Sequence, residues 1–140
     1  MLIAVDFDGT IVEHRYPEIG KEIPFATDTL RRLIMEKHRL VLWTVRSGHL
    51  LDEAIEWCKE RGVEFYAVNS DYPEQEYDAS QARKIKVDLV IDDRNIGGLP
   101  DWGVMYELIH RNISYRQYLL DSLGKEPVLR KKKHWWRQTF

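Results

Sequence analysis

Short apolar runs alternate along this chain with segments whose apolar residues recur every three or four positions. The short runs are typical of buried strands, and the spaced segments are typical of helices with one apolar face. We predict strands near residues 2–6, 39–43, 64–68 and 87–91, and helices over 25–37, 49–61 and within 101–123. Strands that alternate with helices favour a mainly parallel sheet with right-handed crossovers. The predicted fold is therefore α/β, a Rossmann-like three-layer sandwich.

Composition narrows the class of protein. The 140 residues suffice for one domain with its own core, and 44% of them are hydrophobic. No apolar run approaches the ~18 residues of a membrane-spanning helix, and the start of the chain does not resemble a signal peptide. Cys58 is the only cysteine, so we expect a core residue, no internal disulfide and a reducing cytoplasm. The formal net charge of -2 gives no overall nucleic-acid signal.

Two aspartates stand where the first predicted strand ends. Asp6 and Asp8 follow the apolar run 1–5, and alternation in an extended chain directs both side chains to the same side. Adjacent like charges are costly unless a cation or a shared proton relieves them, and Mg²⁺ prefers oxygen ligands. Gly9 allows a sharp turn directly after the pair. The sequence therefore indicates a cation site, for which Mg²⁺ is the candidate.

Other polar residues follow the later strands. Thr44 comes after the second predicted strand, and the acidic pair Asp92 and Asp93 comes after the fourth. In an open parallel sheet, ligands bind beyond the carboxyl ends of the strands. We therefore expect Asp6, Thr44 and Asp92 to meet in one site.

The order of these residues resembles the motifs of the haloacid dehalogenase (HAD) superfamily, which is dominated by phosphatases. Asp6-Phe7-Asp8-Gly9-Thr10 resembles its first motif, and a hydroxyl at Thr44, a basic cluster at 83–86 and an acid pair at 92–93 follow in the family's order. The resemblance covers roughly residues 1–110. It implies a HAD-like fold and a Mg²⁺-dependent phosphatase that hydrolyses a phosphate monoester through an aspartyl-phosphate intermediate.

The resemblance also implies a role for each motif residue. Asp6 would be the nucleophile, and Asp8 would be the general acid and base, with its backbone carbonyl on the metal. Asp6 and Asp92 would hold Mg²⁺, and Asp93 would be either a ligand or an outer partner. Thr44 would hold a phosphate oxygen, together with neighbouring backbone N–H groups.

The remaining candidates concern the cation and the substrate. We expect Lys84 to neutralise the phosphoryl charge, while Lys86 and Arg83 remain open alternatives. We expect Thr10, Val45 and Arg46 to contribute to substrate binding. For Arg46, a surface ion pair is the alternative.

The spacing of the motifs leaves no room for a cap domain. Only a short flap at about 13–23 fits between the first motif and the first helix. In the family, capless members tend to act on macromolecules or to borrow a partner subunit as a lid. Two alternatives to the phosphatase thus remain: a non-catalytic module that binds phosphate or phosphoprotein, and an enzyme that processes a nucleic-acid or carbohydrate terminus.

The character of the chain changes after residue 124. We divide it into a HAD-like core at 1–124 and a basic, aromatic tail at 125–140, which has a net charge of +5 against -7 for the core. Basic residues beside Trp135 and Trp136 could hold a nucleic-acid strand or an acidic partner, or could fold back on the acidic core. We expect the tail to contribute to self-association, so a homo-oligomer is a possible state.

Overall fold

The computed structural model describes residues 1–124, and four strands alternate with helices within that part of the chain. The elements in chain order are β1 Leu2–Val5, α1 Ala26–Met35, β2 Arg39–Leu42, α2 Gly48–Glu60, β3 Ala67–Val68, β4 Leu89–Ile91, α3 Trp102–Arg111 and α4 Tyr115–Ser122. The sequence-based division into strands and helices is therefore confirmed, with two helices within the range 101–123.

The strands form one parallel sheet in the order β3-β2-β1-β4. β1 lies in the interior of the sheet, where Ile3 is in register with Leu40 of β2 and with Leu89 of β4. The chain first progresses outward from β1 to β3 and then returns to the opposite side of β1 as β4. This reversal creates a crevice between the carboxyl ends of β1 and β4, which is where ligands bind in open α/β sheets.

The sheet has a different covering on each face. Alternate residues such as Ile3 and Val5 belong to the larger core cluster, which also receives side chains from α1, α2 and α3. On the opposite face, Ala4 and Val41 form a smaller cluster with Val87 from the segment that leads from β3 to β4. The fold is thus a Rossmann-like three-layer α/β fold in which an irregular segment forms the thinner outer layer.

All four strands are shorter than the sequence predicts, β1 and β2 by one residue each and β3 and β4 by more. β3 spans only residues 67–68, against the predicted 64–68, and β4 spans 89–91, against 87–91. Both are edge strands, so each receives ladder hydrogen bonds from one neighbour alone. Apolar periodicity reports burial and does not show where that pairing begins.

The segment after β1 forms a flap. Val12 pairs with Glu22 in an antiparallel bridge, and the Glu13 N–H donates to the Lys21 carbonyl at 2.8 Å. We refer to residues 13–23 as the flap. Within residues 1–124 no further domain is inserted between the strands, which agrees with the predicted capless architecture.

The described helices are short. The longest described helix, α2, has 13 residues, and no helix within residues 1–124 is long and apolar enough to cross a bilayer. The predictions about the tail, residues 125–140, lie outside the described part of the chain.

Candidate active site

Three carboxylates meet at the crevice between β1 and β4. Asp6, Asp92 and Asp93 each offer an oxygen atom, and these atoms all lie within 4.8 Å of one another. The strand pairing explains the meeting, since the Asp6 N–H donates to the Ile91 carbonyl at 2.9 Å directly beside Asp92. An oxygen-only set of carboxylates fits a hard cation such as Mg²⁺.

The electrostatics of Asp6 show the cost of this crowding. Burial raises the pKa of Asp6 from 3.8 to about 7, and the charge of Asp92 and a hydrogen bond with Asp93 act in the same direction. A hydrogen bond from Thr10 opposes them only in part. The cluster therefore favours either a bound cation or a retained proton near neutral pH.

The turn after β1 is built around Gly9. Its φ of +86° lies in the left-handed region, and a Cβ at this position would lie 2.4 Å from Asp93 Oδ2. The Thr10 hydroxyl lies 3.1 Å from Asp6 Oδ2 and 3.3 Å from Asp93 Oδ1, and it accepts a hydrogen bond from the Asp93 N–H. Asp93 thus faces this turn, whereas Asp92 lines the cleft.

Thr10, which we predicted to bind substrate, is not among the residues that line the cleft. It is 1% exposed, and its hydroxyl is engaged by two aspartates of the cluster. Its carbonyl accepts a hydrogen bond from the buried indole of Trp102. Thr10 therefore holds the acidic residues together and does not face the substrate space.

Asp8 is not one of the three clustered carboxylates and pairs with Arg46 instead. Its two oxygens accept hydrogen bonds from Arg46 Nε at 2.7 Å and Nη2 at 2.8 Å. This is a bidentate pair of the strong, charge-assisted type. Asp8 also lines the cleft, and each of its carboxylate oxygens has a lone pair beyond the one that accepts from Arg46.

The alternative reading of Arg46 as a surface ion pair is wrong, and its contact with substrate stays a prediction that this arrangement does not favour. The side chain is fully buried, which excludes a surface ion pair, and its N–H groups are directed at Asp8 and at backbone carbonyls. No N–H donor remains for a substrate phosphate in this arrangement. Sequence position alone could not reveal this, because the acceptors come from three separate segments.

Thr44 lies at the cleft end of β2, as expected. The Thr44 hydroxyl accepts a hydrogen bond from the backbone N–H of Arg46 at 3.1 Å, and the backbone N–H of Thr44 donates to Asn69 Oδ1 at 2.8 Å. Val45 is 80% exposed and lines the same cleft. Asn69 was missed by sequence reasoning, although its position directly after β3 is the same signal that identified the residues after the other strands.

The basic cluster lies at the edge of the cleft. Lys84 and Arg83 line it, whereas Lys86 is exposed outside the lining. Arg83 Nε donates to the Tyr77 hydroxyl at 3.1 Å, and its guanidinium lies over the Tyr77 ring. Arg83 and Lys84 therefore both lie where a phosphate could reach them, and the choice of Lys84 stays a prediction.

The cleft itself has a volume of about 720 Å³. The flap contributes His14 and Tyr16, and the segment between β3 and β4 contributes residues that include Asn69, Gln75 and Tyr77. This volume falls within the range of small-molecule sites. The flap and the β3–β4 segment therefore form walls around the acidic cluster.

Comparison with known proteins gives one informative relative. A solved structure of a conserved protein from Bacteroides thetaiotaomicron is 64% identical to this chain and superposes with a TM-score of 0.80. The match covers 84% of this chain and 96% of the other. No family model and no curated protein matches the chain.

The degree of similarity shows a shared family. This chain belongs to the family of that conserved protein from Bacteroides thetaiotaomicron. The relative is named only as a conserved protein, so the similarity carries the fold and no activity.

Proposed function

We propose that this protein is a Mg²⁺-dependent phosphatase of the HAD superfamily that hydrolyses a phosphate monoester. The observation that carries the proposal is the meeting of Asp6 with Asp92 and Asp93. Two of these aspartates, Asp6 and Asp92, line a cleft that Asp8, Thr44 and Lys84 also line. A cluster of carboxylates beside a hydroxyl and a cation suits a reaction whose substrate is a dianion.

The metal would be held by Asp6, Asp92 and the carbonyl of Asp8, with Asp93 as a ligand or an outer partner. The donor set suits Mg²⁺ because it contains only oxygen atoms. Burial, and after it the charge of Asp92, raises the pKa of Asp6, and a bound cation would oppose both effects. When bound, Mg²⁺ would neutralise charge on Asp6 and on the phosphoryl group.

The protein residues would divide the chemistry among themselves. Asp6 would attack phosphorus and form an aspartyl phosphate, while Asp8 would protonate the leaving oxygen and later accept a proton from water. Thr44 and Lys84 would bind the non-bridging phosphate oxygens. Thr10, which faces Asp6 and Asp93, would keep these two carboxylates in place.

The compartment that we propose is the cytoplasm. Cys58 is the only cysteine and is buried, and burial raises the pKa of its thiol to about 12. Such a thiol is unreactive and suits a reducing environment.

Substitution of the nucleophile tests the proposal. Asp6→Asn keeps the shape of the side chain and removes the anion, so it should lower the hydrolysis of an aryl phosphate by at least about a thousandfold. Phosphate release from a panel of esters, with Mg²⁺ and with a chelator, measures this loss. Asp52→Asn, an exposed aspartate on α2, is the matched control and should retain wild-type activity.

Two results would contradict the proposal. Activity of the Asp6→Asn variant within tenfold of the wild type would exclude Asp6 as nucleophile. Unchanged activity of the wild type in excess chelator would exclude a required divalent cation.

A further inference from the structure

Arg46 is a fully buried cation whose hydrogen bonds join three parts of the chain. Two of its N–H groups donate to the Asp8 carboxylate at 2.7 and 2.8 Å. Others donate to the flap carbonyls of Pro17 at 3.1 Å and Glu18 at 2.9 Å, and to the Leu50 carbonyl in α2 at 3.4 Å. The five N–H donors of one guanidinium are thus all occupied.

Aromatic rings flank the same guanidinium. Its central carbon lies 5.2 Å from the centre of the Phe7 ring and 5.2 Å from the centre of the Tyr16 ring. Phe7 is buried in the core, whereas Tyr16 belongs to the flap and lines the cleft. The flap therefore supplies both two carbonyl acceptors and one of the two rings.

Among its hydrogen-bond partners, Arg46 has one negatively charged group, the Asp8 carboxylate. Asp8 is the carboxylate that neutralises Arg46, and its partners from the flap are neutral carbonyls. A buried ion pair is strong only while water is excluded, and removal of one partner leaves an uncompensated buried charge. If the flap moved away, water would reach the guanidinium and the pair would weaken.

We propose that Arg46 is a positioning residue that makes the orientation of Asp8 depend on closure of the flap. The role of Asp8 in this inference rests on the proposed phosphatase function. A substrate that contacts Tyr16 in the cleft would favour the closed flap and, through Arg46, the fixed position of Asp8. Proton transfer by Asp8 would then be efficient only after the flap has closed.

Hydrogen exchange measured by mass spectrometry on the full chain tests the coupling without any substrate. Asp8→Asn removes the counter-charge of Arg46 without touching the flap, and it should speed amide exchange within residues 13–23 by roughly tenfold or more. Arg46→Lys should have a similar effect, because an ammonium has only three donors and cannot make the same contacts. Exchange in α1 is the internal reference for general destabilisation.

The matched control is Arg15→Lys, a change at an exposed flap residue that should leave exchange within about twofold of the wild type. Flap exchange in Asp8→Asn within twofold of the wild type would overturn the proposal, since the flap would then be held independently of Asp8. This result is decisive even if Arg46→Lys fails to fold.

Turnover provides a second readout. Arg46→Lys should slow alkyl phosphates by about tenfold more than aryl phosphates, because a poor leaving group depends on protonation by a well-positioned acid. In the Asp8→Asn background the same change should add no further discrimination between the two esters. Equal losses on both esters would contradict the link to Asp8. If no ester is hydrolysed at all, the proposed function fails while the exchange experiment still decides the coupling.

Discussion

At the scale of single residues, two neighbouring aspartates differ in how the fold neutralises them. Asp8 has a buried counter-charge in Arg46, with both carboxylate oxygens engaged. Asp6 instead lies beside Asp92 and Asp93, and burial, together with these neighbours, raises its pKa to about 7. A bound cation would therefore favour the ionised form of Asp6, whereas Asp8 already has a counter-charge in Arg46.

The raised pKa of Asp6 predicts a pH dependence of stability in the absence of metal. The folded protein retains a proton on Asp6 at pH values where the unfolded chain, with an ordinary pKa of 3.8, has lost it. The associated stabilisation is complete below the unfolded pKa and is lost as the pH rises through about 7.

Asp6→Asn removes this titration. The variant should be more stable than the wild type at pH 8 by about 1 kcal/mol, a value reduced for solvent screening, and the difference should be smaller at pH 5. Urea unfolding with a chelator present measures the free energy of unfolding of both proteins at both pH values. An equal difference at pH 5 and pH 8 would contradict the assignment of the shift to Asp6.

At the scale of elements, the turn after β1 fixes the acidic cluster. Gly9 adopts a left-handed conformation and lies so close to Asp93 that a Cβ at this position would force the Asp93 side chain or the turn to shift. Trp102 at the start of α3 donates to the Thr10 carbonyl at 3.1 Å, which attaches the turn to the helix that follows β4. One strand end, one turn and one helix start therefore determine the distance between the aspartates.

Gly9→Ala should disturb this element. The added methyl group meets Asp93 Oδ2 and the φ value is unfavourable for alanine, so we expect a loss of about 1–3 kcal/mol in the free energy of unfolding and weaker Mg²⁺ binding. Urea unfolding and calorimetric titration with Mg²⁺ measure the two effects.

The matched control is Gly97→Ala, in the loop after β4. A Cβ there would meet no atom within 4 Å, and the residue does not have a positive φ. Equal behaviour of the two variants would show that the close approach of Gly9 to Asp93 has no energetic consequence.

At the scale of the whole molecule, charge is distributed unevenly along the sequence. Residues 125–140 carry +5 and the remaining residues carry -7. Opposite charges of this size attract, and the attraction weakens as salt shortens the screening length. The tail is therefore a candidate for association with a core, whether its own or that of a second copy.

Removal of the tail after Gly124 should lower the number of subunits per particle, which light scattering measures as the particle mass divided by the mass of one chain. It should also lower phosphatase activity if the tail contributes a lid. The comparison uses the full chain at low salt and at about 0.5 M salt as the reference for charge-driven association. A variant in which Lys131, Lys132 and Lys133 become Gln separates charge from the aromatic residues. An unchanged number of subunits together with unchanged activity would show that the tail contributes neither to assembly nor to a lid.

The sequence by itself determined the element order and the residues that follow each strand. Apolar periodicity located the strands and helices, because a buried face repeats with the period of its element. Parallel pairing then required Asp6, Thr44 and Asp92 to lie at one edge of the sheet, and the structure brings them to one cleft. Their chemical roles, and that of Lys84, stay predictions.

Tertiary structure alone decided the contacts made by side chains that are distant in sequence. It buried Arg46 against Asp8 and the flap, directed Thr10 toward Asp93, and made the edge strands begin later than predicted. Local pattern shows which face of an element is apolar. It does not show which polar group finds a partner inside, because that depends on atoms supplied by other segments of the chain, as for Arg46 and Asp8 with a separation of 38.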